Sequence, residues 1–299
     1  MTRTKAAAED RTLVSTLSRR DPFVRTLIGL FATLVIASLA VACAGPMAWL
    51  FKAATSTSTE TLADPLSVWP SGLHWENFSI IWNQVDFAKY FLNTVWLMAG
   101  SLVFGLLVAT TGGYWLAVLK PRGRGIVSAL VLATLFIPSV VSLVALYMTV
   151  VDVPLLDISL INTFWAVWLP NAANAVGVLL VQRFFASIPG EIFEAAKVDG
   201  AGPVRLFVSI VLPMSRPILS VLSVLMLVGA YKEFLWPLLV LPSPDVQPIA
   251  VVLPRLAEST EYGPYMAALF ISAIVPILFF LVFQRQFLRA AGNTGSLKG

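Results

Sequence analysis

Six apolar stretches, each long enough to cross a bilayer, constrain this chain more than anything else in it. They run approximately over residues 27–51, 90–119, 126–150, 165–181, 218–241 and 265–283. A helix needs roughly 20 mainly apolar residues to span a hydrocarbon core about 30 Å thick. Backbone in lipid must satisfy its own hydrogen bonds, which leaves helices or closed barrels. Uninterrupted apolar runs lack the alternation of a barrel strand. The expected fold class is therefore an all-α integral membrane protein with six transmembrane helices. Gly105, Gly112, Gly113, Pro138 and Pro276 fall inside the runs, and membrane helices tolerate them. Composition excludes a soluble fold. Hydrophobic residues make up 58% of the chain and charged residues 12%, against about 25% charged in soluble domains.

Basic residues set the expected orientation. Arg3, Lys5, Arg11, Arg19, Arg20 and Arg25 precede the first run, and Lys120, Arg122 and Arg124 follow the second. Arg183, Lys197, Arg205 and Arg216 follow the fourth, and Arg285, Arg289 and Lys298 follow the last. The opposite side holds Lys52, Lys89 and Arg255. Both termini are thus expected in the cytoplasm. The basic balance reports this topology and calls for no nucleic acid. The chain divides into a cytoplasmic lead (1–26), a six-helix domain (27–283) and a cytoplasmic tail (284–299).

Little enzyme chemistry is visible. No Gly-rich phosphate loop and no Cys/His nucleophile pair occur. Cys43 stands alone, which rules out an internal disulfide. Ala42-Cys43 faintly resembles a lipoprotein cleavage site, but the apolar run continues past it, so a small packing residue is expected there. His74 reads as a solvated loop residue and not a metal ligand. No metal or cofactor is expected on this chain.

The internal loop 182–216 carries the most information. Pro189 can open a helix, because its missing N–H falls among donors that are unpaired anyway. Ile188, Ile192, Ala195 and Ala196 then share a face. Gly200 can close the helix in a left-handed conformation. Pro203 can start a second short helix with Leu206, Phe207 and Ile210 on one face, and Pro213 stops it. Two short amphipathic helices on the cytoplasmic side result. They suit either a partner's surface or the bilayer interface.

The spacing within this loop resembles a known signature. Glu194-Ala195-Ala196, Asp199-Gly200-Ala201, Phe207, Ile210, Leu212-Pro213 and Pro217 fall in the order found in permease subunits of ABC importers, over 24 residues without a gap. Further stretches are similar to the carbohydrate branch, and to the smaller membrane subunit of maltose-type importers in particular. They are Trp69-Pro70, Trp75-Glu76-Asn77-Phe78, Asn93-Thr94, Tyr114 to Ala117 with Lys120 to Arg124, Phe234-Leu235-Trp236-Pro237-Leu238, and Gly295 to Gly299.

The resemblance implies that the loop is a coupling helix docking on an ATP-binding subunit, with Glu194 facing a basic group there and Gly200 supplying the turn. It implies further partners: a second, homologous permease, two ATP-binding subunits that hold ATP and Mg, and an extracytoplasmic sugar-binding protein. The loop 242–264 is expected to reach toward that binding protein.

One departure stands out. Tyr231-Lys232 precedes Glu233 where family members usually carry Trp-Asn. A charge near a membrane centre costs about 2.5–3.5 kcal/mol on insertion scales, so Lys232 and Glu233 should face protein or a water-filled path. They line the substrate passage, pair with the partner permease, or snorkel outward. Trp236 is the best candidate for stacking on a sugar, while the other tryptophans fit an interfacial belt. The rival readings are an ion-driven secondary transporter, a membrane-embedded enzyme, and an ABC permease for another solute such as glycerol phosphate.

Overall fold

The computed structural model describes residues 21–67 and 69–293. Most of the N-terminal lead and the Gly295–Gly299 motif lie outside the described residues. Among those described, the chain is helical, with one isolated bridge between Val153 and Ile158.

The first, second and sixth apolar runs form long helices. They are α1 (Pro22–Ala54), α4 (Phe87–Tyr114) continued by a π-helical turn (Trp115–Leu119), and α15 (Tyr262–Asn293). These three are long and apolar enough to cross a membrane. Two sharply bent pairs raise the number to as many as five.

The other three runs are not the continuous helices expected. The third divides into α5 (Arg124–Thr134) and α6 (Ser139–Val151), the fourth into α7 (Trp165–Ala172) and α8 (Ala175–Ala186), and the fifth into α12 (Arg216–Lys232) and α13 (Leu235–Val240). Proline explains two of the breaks. It cannot donate to the carbonyl four residues earlier and clashes with it. Pro138 therefore frees Thr134, where α5 ends, and Pro237 frees Glu233, where α12 ends and the backbone turns extended. In the fourth run, Pro170 lies within α7, and Asn174 starts α8 by accepting from the Gly177 N–H at 2.8 Å.

The body forms around α4, against which α7, α8 and α12 pack. The α4–α7 contact is close enough that a Cβ at Gly100 would lie 2.1 Å from the Trp168 ring. α1 is buried only near its C-terminal end, at Lys52, Ala53 and Ala54; Phe23, Leu30, Phe31 and Leu34 are exposed. Cys43 is exposed on this helix and is not the packing residue expected.

Two asparagines fasten the end of the body opposite the 182–216 loop. Asn77, on α3 (Glu76–Gln84), donates to the Ala54 and Ser56 carbonyls at 3.0 and 2.9 Å, closing the end of α1. Asn93 donates to the Asp245 and Gln247 carbonyls at 2.9 and 3.0 Å, and Thr94 accepts from the Ile249 N–H at 2.9 Å. His74, a partly exposed loop residue, hydrogen-bonds Glu76 at 2.7 Å.

The 242–264 stretch is correspondingly not a free arm. Residues Ile249–Ser259 form α14, and Ile249, Val251, Val252 and Leu256 are buried on α4 and α15. Pro242, Pro244, Asp245 and Glu261 are exposed, as is the outer face of α14 with Arg255 and Glu258.

Lys89 and Asp245 add an ion pair to the Asn93 clamp. Hydrogen bonding to Lys89 holds the Asp245 carboxyl below its ordinary range. A depressed acid stabilises above its unfolded pKa and loses that effect as pH falls through its folded value. The tie therefore persists through neutral pH and is lost in acid. Both groups are largely exposed, so its strength is limited by solvent screening.

Asn93→Leu leaves a buried carbonyl at Gln247 without its donor and should cost about 1–3 kcal/mol. In detergent, we expect its thermal unfolding midpoint to fall by several degrees, and that of Lys89→Met by less. Salt should shrink the Lys89→Met effect and leave the Asn93→Leu effect in place.

Candidate functional site

Two regions gather the residues singled out by sequence. The first is the internal loop. α8 ends at Ala186 and the chain bends by 75° into α9 (Gly190–Val198). Pro189 stands immediately before α9, with no N–H to leave unpaired. The helix closes in a Schellman turn: the Gly200 N–H bonds the Lys197 carbonyl at 3.0 Å and the Ala201 N–H bonds the Ala196 carbonyl at 2.9 Å. Gly200 has φ +74°, a conformation a Cβ would disfavour. The chain continues through α10 (Pro203–Leu206), a π-helical turn (Phe207–Val211) and α11 (Leu212–Met214), then bends by 78° into α12. Pro213 does not stop this segment by itself. The break comes at Ser215, whose N–H bonds the Val211 and Leu212 carbonyls, both at 3.1 Å.

The predicted loop residues fall into two groups. Glu194, Ala195, Asp199, Gly200 and Pro213 are exposed, whereas Ala196 is buried and Ala201, Phe207 and Leu212 are partly buried. Ala195 thus lies outside the inward face proposed for it, and Phe193 takes the place beside Ile192 and Ala196. Among the described residues, Glu194 and Asp199 belong to neither ion pair.

Sequence reading missed Val198, which is 87% exposed at the end of α9, and Val204, 76% exposed across the turn. Helical spacing places Val198 four residues after Glu194 on the same outer face. The tip thus presents acids beside small apolar side chains. Behind it, the Tyr114 hydroxyl donates to the Pro203 carbonyl at 2.8 Å, and the Tyr114 ring lies 4.8 Å from Phe207. A groove of about 640 Å³ opens between the inner end of α4 and this knob, lined in part by Lys120, Glu194 and Lys197.

The second region is where broken helices meet. Ser101 near the middle of α4, Asn171 and Asn174 at the α7–α8 break, and Glu233 at the α12–α13 break line one cavity of about 170 Å³. Its remaining wall is Leu225, Met226, Gly229 and Ala230 of α12. Asn171 donates to the Ser101 hydroxyl at 3.2 Å. A second cavity, about 240 Å³, shares Asn171 and Glu233 and adds Pro170 and Trp236. Non-helical backbone at membrane depth is tolerated where it is buried in protein or lines a water-filled cavity, and the Asn174 and Glu233 breaks fit that rule.

Lys232 and Glu233 do not share this space. Lys232 lies on the other flank of α12, in an apolar groove with Ile249, Leu253 and Pro276. Trp236 is 7% exposed, and its indole N–H is taken by the Ala166 carbonyl at 2.9 Å. It forms wall and offers no free donor. Ser101, Asn171 and Asn174 were not anticipated. The only signal was amides and a hydroxyl inside apolar runs, and nothing local says they converge.

A family model described as "Binding-protein-dependent transport system inner membrane component" matches residues 88–291, which include the loop, its knob and both cavities. The chain belongs to this family. A probable ABC transporter permease protein, YurM of Bacillus subtilis, is 32% identical over 87% of this chain and 85% of its own length. The arabinooligosaccharide transport permease AraQ of Halalkalibacterium halodurans is 30% identical over 89% of this chain and 95% of its own.

Other relatives are named for diacetylchitobiose uptake (Streptomyces coelicolor, 29% identical over 81% and 80%) and for sn-glycerol-3-phosphate transport (Escherichia coli, 30% identical over 82% and 89%). In fold, the chain is similar to a bacterial ABC transporter that imports the acidic polysaccharide alginate. The TM-score is 0.79 at 18% identity, covering 92% of this chain and 99% of that one.

Gly100→Ala would drive a methyl group into Trp168 and so displace α7, which carries Asn171. Overpacking of this kind costs about 1–3 kcal/mol. We expect a lower unfolding midpoint for Gly100→Ala, and partial recovery when Trp168→Leu is added. Purely additive losses would show that the two residues do not press on one another.

Proposed function

We propose that this chain is one half of a permease pair that passes a sugar across the bacterial inner membrane, driven by ATP hydrolysed on partner subunits. The broken apolar runs pair up to make six crossings with both termini in the cytoplasm, as the basic loops require. α9 and its turn dock on an ATP-binding subunit, with Glu194, Asp199 and Val198 in contact. An extracytoplasmic binding protein delivers the sugar, the second permease supplies the other wall, and ATP with Mg is held by the ATP-binding partners. The passage on this side runs by Ser101, Asn171, Asn174 and Glu233, with Trp236 as wall. Lys232 lies outside it.

One observation carries this reading. Ala196 of the knob belongs to a continuous buried cluster with Phe185 and Val181 of α8 and Leu222 and Met226 of α12. Met226 also lines the polar cavity beside Glu233. Close-packed side chains transmit displacement, because interiors have low compressibility. A push on the knob therefore moves the wall of the cavity, which is what alternating access between two states needs. The sugar is supported by relatives named for arabinooligosaccharides and diacetylchitobiose.

Tagged wild-type chain, solubilised with its membrane partners, should bring down a second permease and an ATPase. Glu194→Lys should lose the ATPase, or keep it with hydrolysis no longer linked to uptake. Gly200→Val, which strains the turn by roughly 1–2 kcal/mol, should weaken capture in the same direction. A chain that purifies alone and transports in vesicles without ATP would overturn the proposal in favour of a secondary transporter.

A further inference from the structure

Among the described residues of this chain, the cavity at the helix breaks holds the Glu233 carboxyl with no cation beside it. Glu233 accepts one long hydrogen bond, from the Trp236 N–H at 3.4 Å, and enters no ion pair among the described residues. Neither cavity that it lines contains a Lys, Arg or His side chain. The neighbouring cation, Lys232, lines the groove on the opposite flank of α12.

The other polar groups here are neutral. The Ser101 hydroxyl meets the Asn171 amide, and Asn174 uses its carbonyl oxygen on the Gly177 N–H, which leaves its amide nitrogen available. Together they offer one carboxylate, amide donors and acceptors, and a hydroxyl. Such a set matches the paired donor and acceptor character of sugar hydroxyls. It gives a carboxylate or phosphate nothing positive to meet.

We propose that Glu233 makes this cavity select against anionic cargo, so that the solute passing it is a neutral or amino-bearing sugar, and neither an acidic sugar nor a polyol phosphate. The inference rests on reading the cavity as part of the passage. Coulomb interaction between unit charges several ångströms apart in a partly hydrated protein site favours a cation over an anion on the order of tenfold or more. An Asn or Gln at the same position would carry the hydrogen bonds without that bias.

Charged thiol reagents test this without knowledge of the cargo. The lone Cys43 is replaced (Cys43→Ser), and Asn171→Cys is introduced into the full chain, expressed in membranes with its partner subunits. Ser101→Cys serves as a second reporter should Asn171→Cys not assemble. Labelling rates are measured for a cationic trimethylammonium and an anionic sulfonate methanethiosulfonate of similar size, with and without ATP and Mg, each normalised to its rate with a free thiol.

The expected normalised cation-to-anion ratio is about tenfold or greater, and Glu233→Gln should bring it near one. A ratio near one in the presence of Glu233, with ready labelling, would overturn the charge selection while leaving the passage reading intact. No labelling of either position by either reagent, in either nucleotide condition, would overturn the passage reading and this proposal with it.

Discussion

Inside a bilayer no solvent meets a peptide group that a helix has released, and the interior of this protein is organised by that fact. Pro138 and Pro237 each remove a helical hydrogen bond in mid-run, and the run containing Pro170 parts at Asn174. At Asn174 and Glu233 the interruptions come together beside Ser101 and share a polar cavity. The breaks thus concentrate polarity in one place in a body that is otherwise apolar. Without them α12 and α13 would be one helix, and Glu233 would have no extended backbone beside it.

The same constraint governs the end of the body that carries the 182–216 loop. Two sharp bends bracket α9, and between them the Schellman turn at Gly200 satisfies carbonyls that the helix end exposes. The knob is not a loop resting on the surface. Its inward residues, Ile192, Phe193 and Ala196, join the cluster that holds α8 and α12, while Glu194 and Val198 point away. One short helix therefore has a face rooted in the membrane body and a face available to a partner.

Much of this was legible in the sequence. Apolar run length announced an α-helical membrane protein, and Pro189, Gly200 and Pro203 announced the helix–turn–helix of the internal loop. Proline was read too leniently: membrane helices tolerate it, yet Pro138 and Pro237 end helices here. Ala195 was turned to the wrong face because Ala fits either side equally well, whereas bulky Phe193 decides the packing.

The polar cavity was largely invisible, since Ser101, Asn171 and Glu233 are distant in sequence and meet only through the packing of α4 with α7 and α12. Adjacent helical residues such as Lys232 and Glu233 point in different directions. Which flank each would take depended on the break at Glu233 and on α14 returning to cover the other side.

The Asn93 clamp bears on the order in which the molecule can be made. Asn93 precedes the two carbonyls it holds by 152 and 154 residues, and Thr94 precedes its amide partner by 155. During synthesis the second crossing is complete long before the segment that will cap it exists. The Asn93 amide lacks these acceptors until the penultimate stretch has been inserted and folded back, whereas the Thr94 hydroxyl already donates to the Tyr90 carbonyl at 2.8 Å and gains only its donor from that stretch. A chain interrupted before residue 245 carries that unmatched edge permanently, so finished and unfinished copies differ in surface chemistry at a single recognisable spot.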